Sequence, residues 1–372
     1  MVFDQIVCVY ILSLKDIQKS HFLIYTSPSH NTSFLAEKFH LFSRYSNSRK
    51  LQTDESDKLK EMEWKDISVF IGCFAHSTWT TALEISPNMV IGVYNGKILF
   101  IENKENLPKL IKEYNLLKER IRYLEDREIL IPGFVDCHNH ASQFLNSGVE
   151  KFEDVQFAKD AYIAAVSTFV KNGTTTACYF ATIHTDASLL LCDIAEKIGQ
   201  RAYVGKVCMD QNEGSSYKEN TKESLQETER FIETVQKRKY RLITPVVTPR
   251  FALSCTEKLM KGLAQIADKY DLPIQTHINE NKKEIAEVEK RFPNKTYAET
   301  YDAMGLLKNK TILAHNIHCP HQDIKLIKKK ESSVCHCPNS NTNLQSGMFW
   351  ARQHLDADIK LGLGTGEYLQ DL

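Results

Sequence analysis

Several things are missing from this chain, and each absence excludes something. No apolar run reaches the roughly 20 residues of a membrane-spanning helix. No excess of either charge exists: Lys+Arg and Asp+Glu are 47 each, a formal net charge of zero. That argues against a nucleic-acid partner held by phosphate neutralisation, and it gives no reason to expect an anionic membrane surface. No Gly-x-Gly-x-x-Gly follows an apolar stretch, which weakens a dinucleotide-binding reading. No Cys-x-x-Cys pair occurs among the ten cysteines, which are scattered singly apart from Cys335 and Cys337. At 372 residues the chain is too long to need disulfide staples, so reduced thiols and a cytoplasmic location are expected. The short apolar run from Gln5 to Leu12 follows Asp4 rather than a basic start, and no small-residue cleavage site follows it, so it does not read as a secretory leader.

What remains is a soluble globular composition, 42% apolar, enough for one large domain or two unequal ones. Three textures divide the chain. Residues 1–66 interrupt apolar residues with Ser, Asn and Lys without clear period, and read as a mostly poorly ordered appendage. Residues 67–131 read as β, with Asn95-Gly96 between apolar arms as a hairpin signal. From residue 132 onward short apolar segments alternate with amphipathic helical ones. Strands are expected near 133–137, 174–179, 202–207, 242–247, 273–277, 311–314, 333–336 and 359–363. Helices are expected near 189–198, 223–232 and 257–271. Eight strands with intervening helices favour an α/β fold of the (β/α)8 TIM-like barrel type over an open doubly wound sheet.

In such a barrel the C-terminal strand ends share one mouth. His138 and His140 lie one residue apart at the first strand end, so they point the same way. His277 ends the fifth strand and His315 the sixth. A lone strand-end histidine is more often a hydrogen-bonded structural residue. Four at one mouth are far more specific, and imidazole suits zinc, with iron or nickel also admissible. Glu280, three residues past His277, is placed to shuttle a proton from an activated water; its bland alternative is a first-turn helix residue favoured by the macrodipole. Arg250 and Phe251 end the fourth strand, and a planar guanidinium beside an aromatic face suits a flat heterocycle bearing a carbonyl. Gln143 can both donate and accept at a base edge. The groups His315-Asn316-Ile317-His318-Cys319-Pro320-His321 and Cys335-His336-Cys337 fit no paired-cysteine zinc knuckle.

These motifs resemble the amidohydrolase superfamily, and within it the branch acting on guanine. The resemblance runs from about Phe74 to Thr365, strongest at 132–143, 171–186, 205–210, 248–255 and 336–341. It implies a metal-dependent barrel with a small β domain that hydrolyses guanine to xanthine and ammonia with one zinc ion. It assigns His138, His140, His277 and His315 to the metal, and Glu280 to proton transfer. It gives His140, Gln143, Arg250, Phe251, His277 and Glu280 as residues around the substrate, with His315 also catalytic. It also suggests a homodimer.

The chain departs from the resemblance in three places. The eighth strand of the family ends Gly-Leu-Gly-Thr-Asp, and that aspartate both ligates and accepts a proton; here the run is Gly362-Leu363-Gly364-Thr365-Gly366. A stretch that the family carries after Gln143 is shorter here. The family also continues past the eighth strand, so 132–372 is expected to be a barrel without its last helix and 67–131 an incomplete β domain, with uncovered apolar faces. Two competing expectations follow. One is an impaired variant acting only through association with full-length subunits. The other is the same barrel acting on a different purine or a triazine.

Overall fold

The computed structural model describes residues 9–13, 67–78, 81–94, 96–143 and 151–366. Contacts divide the chain into two compact units, residues 1–133 and 134–372.

The first unit is a six-stranded sheet. Its strands are β1 (Val9–Ser13), β2 (Ser68–His76), β3 (Glu84–Tyr94), β4 (Lys97–Asn103), β5 (Ile121–Tyr123) and β6 (Glu128–Pro132), in the order β1-β6-β2-β3-β4 with β5 also on β2. The expected hairpin is β3–β4, antiparallel. Asn95 lies outside the described residues, and Gly96 has φ +75°, the left-handed backbone that glycine tolerates without Cβ strain. Val69, Ile71, Val90, Phe100 and Leu110 form the core. One strand departs from the sequence expectation: Val9–Ser13, inside the segment read as irregular, pairs antiparallel with β6 from Val9↔Pro132 to Ser13↔Glu128. Val-Tyr-Ile-Leu is β-branched and aromatic, and β6 offers it an unpaired edge. The rest of 1–66 lies outside the described residues.

The second unit alternates strand and helix. Two four-stranded parallel sheets carry it. One has the order β11-β9-β8-β7, from β7 (Phe134–His140), β8 (Thr174–Phe180), β9 (Arg201–Gly205) and β11 (Ile243–Pro245). The other runs β13 (Ile274–Ile278), β14 (Thr311–His315), β15 (Ser333–His336), β16 (Lys360–Leu363). Beyond β9 and β11 the two chains pair again as β10 (Val207–Cys208) and β12 (Thr248–Pro249). Single parallel bridges, Val247↔Ile274 and Asn139↔Gly366, join the two sheets at both seams. The architecture is the TIM-like barrel expected from the alternating pattern.

Two expected strands are split, each for a physical reason. The third breaks at Lys206, whose ammonium turns inward to Glu219 at 2.7 Å with both side chains at least nine-tenths buried. The fourth breaks after Pro245, which has no N–H to give the ladder. Gly205 is needed where it stands, because a Cβ there would lie 1.8 Å from Thr248 Oγ1.

Three of the helices that follow strands start on side-chain caps of one kind. Asn220 Oδ1 accepts from Glu223 N at 2.9 Å before α4 (Thr221–Arg238), and Thr256 Oγ1 accepts from Leu259 N at 3.2 Å before α5 (Glu257–Lys269). Asn281 Oδ1 does the same from Glu284 N at 2.9 Å before α6 (Lys282–Arg291). Such caps satisfy first-turn amides and fix where each strand–helix loop ends. The remaining helices of this unit include α2 (Val155–Lys171), α3 (Thr185–Ile198), α7 (Tyr297–Ala303), α8 (His321–Lys329) and α9 (Pro338–Asn343), after α1 (Leu107–Glu113) in the first unit. No described helix is long and apolar enough to cross a membrane.

Candidate active site

The four histidines singled out in the sequence meet. Strand alternation puts His138 and His140 on one face of β7, and their Nε2 atoms are 3.2 Å apart. His140 Nε2 is 3.0 Å from His277 Nε2, contributed by β13. One ligand atom each from His138, His277 and His315 lies within 4.8 Å of the others. A tetrahedral ion with Zn–N bonds near 2.0–2.1 Å would space its nitrogens by about 3.3 Å. The His138–His140 and His140–His277 separations are close to that edge length.

The far side of two rings is anchored. His277 Nδ1 donates to the Arg250 carbonyl at 2.7 Å, and His315 Nδ1 to the Asn341 side-chain carbonyl at 2.8 Å. An acceptor at Nδ1 puts the proton there and leaves the Nε2 lone pair facing the cluster, the tautomer a metal ligand needs. His138, His140 and His277 are all held well below the ordinary imidazole pKa, first by burial and then by neighbouring imidazoles, which are His277 foremost for His138 and His140 and His315 for His277. For His140 and His277 the Arg250 guanidinium adds to the same effect. Neutral imidazoles with converging lone pairs are a donor set for a divalent ion.

Backbone strain collects at the same rim. His315, Asn316 and Asn279 have φ of +70°, +49° and +50°. Asparagine visits this region with modest strain, whereas His315 costs about 1–3 kcal/mol to hold there. The surroundings hold it: Asn316 N donates to Ile278 O at 2.9 Å, and Asn279 Nδ2 donates to Asn316 Oδ1 at 3.0 Å.

The other residues expected at the site occupy the rim at the strand ends. Glu280 Oε1 is 3.8 Å from His315 Nε2, with the carboxylate side chain 19% exposed. Arg250 follows β12 and does two things. Its carbonyl orients His277, and its side chain lines a cavity of about 710 Å³ with Ile183, His184, Tyr217, Lys218 and Glu219. The four imidazoles do not line that cavity. Phe251 is extended and half-buried just after Arg250. Gln143 closes the short turn Ala141–Gln143 behind β7, and residues 144–150 beyond it lie outside the described residues.

Three contributors were not singled out from the sequence. Phe180, fully buried at the end of β8, packs its ring 4.8 Å from His138, 5.0 Å from His140 and 4.7 Å from His277. Asn341 orients His315. Asp136 accepts from His138 N at 3.2 Å and Asn139 Nδ2 at 3.0 Å, and from Thr365 N at 3.1 Å and Thr365 Oγ1 at 2.7 Å. It fastens the end of the eighth strand to the first, and burial pushes its carboxyl pKa up.

Among the described residues, that eighth strand end presents peptide groups and the Thr365 side chain. Gly366 N donates to His138 O at 2.9 Å. Gly366 has φ +70°, and a Cβ there would lie 2.7 Å from Ser340 Cβ and 3.1 Å from Cys337 Cβ. Glu367 and Asp371 lie outside the described residues. The decoy groups hold no second centre: His318 is spent on Ser346 O at 2.7 Å, and the Cys335 and Cys337 thiols are 3.9 Å apart. Among the described residues, His138, His277 and His315 form the group whose ligand atoms lie close enough together to hold a metal ion.

The chain belongs to the amidohydrolase family, whose model matches residues 129–367. Within that family it is similar to guanine deaminases. The guanine deaminase of Homo sapiens is 44% identical over 318 residues, covering 80% of this chain and 70% of that protein. Among solved structures, guanine deaminase from C. acetobutylicum with bound guanine in the active site superposes with a TM-score of 0.74. It is 36% identical, over 81% of this chain and 74% of that one. A triazine hydrolase from Arthobacter aurescens shares the fold at a TM-score of 0.66 with 14% identity, covering 81% of this chain and 72% of its own.

Proposed function

We propose that this chain hydrolyses guanine to xanthine and ammonia at one zinc ion held by His138, His140, His277 and His315. The observation that carries the reading is the spacing of the His138, His140 and His277 Nε2 atoms, 3.2 and 3.0 Å apart, at the rim that also bears Arg250, Phe251 and Glu280. The similarity to guanine deaminases over four-fifths of the chain supports the substrate. Bound there, the ion supplies Lewis-acid activation of water near neutral pH. Glu280 takes the proton from the attacking water and passes it to the ring nitrogen beside the amine-bearing carbon; the proton of the new hydroxyl then passes to the amino group, which leaves as ammonia as the carbonyl forms. Arg250 donates to the purine carbonyl, Phe251 stacks on the ring and Gln143 reads the base edge. The free thiols at Cys178, Cys192, Cys208 and the other described cysteines fit a cytoplasmic location. A homodimer belongs to the same reading, and sedimentation of the purified chain checks it.

Glu280→Gln is expected to lower xanthine formation by about 10²–10⁴-fold while the zinc content stays near one ion per chain. Undiminished turnover in that variant would sink the assignment.

One observation favours a second reading. Gly366 stands where the resemblance calls for an aspartate, and its surroundings leave no room for a side chain in this conformation. Among the described residues Glu280 then has no second carboxylate beside it at the eighth strand end, and a positioned acid or base is worth about 10²–10⁴-fold. A chain that retains zinc and guanine but forms no xanthine would be a silent member of the family.

A further inference from the structure

Glu284 is the buried carboxyl that the reaction above does not use. It sits four residues beyond Glu280, in the first turn of α6, 8% exposed. The Tyr297 hydroxyl, on α7, donates to Glu284 Oε1 at 2.6 Å. The same hydroxyl oxygen accepts from the Ala252 amide at 3.2 Å. Tyr297 and Ala252 are both almost completely buried. At its other end α6 holds the same loop again: Arg291 donates to Leu253 O at 2.9 Å and to Cys255 O at 3.0 Å. The loop so gripped begins with Arg250 and Phe251, and Arg250 O in turn orients His277. The helix entered through Glu280 and the loop that presents Arg250 are thus one fastened piece.

We propose that Glu284 is a positioning residue: through the Tyr297 hydroxyl it fixes the Ala252 amide, and so sets the Arg250–Phe251 loop against Glu280. This deepens the reading given above and rests on it for the identity of the ligand, though not for the linkage itself. A carboxylate in an apolar pocket is a costly way to fasten a loop unless it accepts a strong hydrogen bond, and a phenol at 2.6 Å supplies one. The groups that face Glu284 are Glu280 and His315 from the rim, Asn281 from its own cap, and Tyr297 and Tyr301 from α7. Burial, reinforced by the negative charge of Glu280, raises its carboxyl to about 7, so near neutral pH it is shared between the two forms.

The test uses the whole 372-residue sequence loaded with zinc, and compares Tyr297→Phe, Glu284→Ala and Glu284→Gln. Amide exchange of the peptide covering 250–256 is measured, together with guanine binding and zinc content. Tyr297→Phe and Glu284→Ala are expected to speed exchange at Ala252 about tenfold, the loss of one hydrogen bond's worth of protection. They are expected to weaken guanine by a similar factor with zinc unchanged. Glu284→Gln, whose amide oxygen still accepts from the phenol, is expected to rescue the exchange rate. Unchanged exchange at Ala252 in Tyr297→Phe would overturn the proposal, as would a Glu284→Gln protein as fast-exchanging as Glu284→Ala. Should the alanine variant not fold, Tyr297→Phe and Glu284→Gln decide alone. A wild-type chain that ignores guanine would sink the substrate assignment and leave the exchange result to judge Glu284.

Discussion

The two sides of the barrel mouth are built differently. On the side of β13 and β14, side chains do the work. His277 and His315 turn inward, Asn279, Asn316 and Asn341 hold the rim behind them, and three of these residues accept a left-handed backbone to do so. On the side of β16 the rim is Gly364, Thr365 and Gly366. That side serves through peptide groups and through the Thr365 bonds to Asp136. Glu280 stands 3.8 Å from His315 on the first side, and at the β16 strand end the described residues offer no carboxylate that faces the imidazoles. The contrast teaches where chemistry and scaffold have separated: strain and buried polar groups gather where ions and protons are handled, and glycine closes the ring where only the barrel seam needs joining.

The widest gap between the sides is expected on metal retention. His277→Ala removes a nitrogen that touches His140 at 3.0 Å and frees Arg250 O from its orienting role. It should cost more than the 10–100-fold in zinc affinity typical of losing an outer partner, measured by competition with a chromophoric chelator. If zinc stays bound as tightly as before, the imidazole cluster is not the metal centre. Asn341→Ala tests the next shell outward. It leaves all four imidazoles but deprives His315 Nδ1 of its acceptor at 2.8 Å. A fall of about 10–100-fold in zinc affinity is expected, with His315 ring resonances in nitrogen-edited NMR reporting a mixture of tautomers. A single Nε2-acceptor tautomer in the variant would show that Asn341 does not set the ring.

The readable parts of this site were those that follow from period and spacing. His138 and His140 share a face because strands alternate, and His277 and His315 fall at the ends of apolar segments whose spacing announced a barrel. All eight expected barrel strands begin within one residue of their observed positions, and Phe134–His140, Ile274–Ile278 and Thr311–His315 run one to three residues further than expected. In the first and sixth strands the added residues are His138, Asn139, His140 and His315, polar and so unlike strand interior. The supporting partners were hidden for a different reason. Asn341 lies 26 residues from His315, and Asp136 lies 229 from Thr365; no local pattern encodes a bond across the closed ring. Phe180 looks like any core aromatic until three imidazoles are found against it. Val9–Ser13 was obscured by its surroundings, since five strand-forming residues within an irregular segment carry little periodicity.

The smallest expected effect belongs to the glycine side, and it sharpens the contrast most. Gly366→Ala adds one methyl at φ +70°, 2.7 Å from Ser340 Cβ. An alanine in left-handed backbone loses about 1 kcal/mol, and the crowding adds to it, so a loss of about 1–3 kcal/mol is expected in denaturant unfolding. The bond from Gly366 N to His138 O at 2.9 Å does not need the side chain, so His138 should keep its place. Zinc affinity should therefore change by less than about threefold, well under the Asn341→Ala effect. A Gly366→Ala chain that folds normally but loses zinc as badly as Asn341→Ala would mean that the two sides are not separate. The seam at Asn139↔Gly366 would then be part of the metal centre, and the bare strand end would be a functional surface instead of a closure.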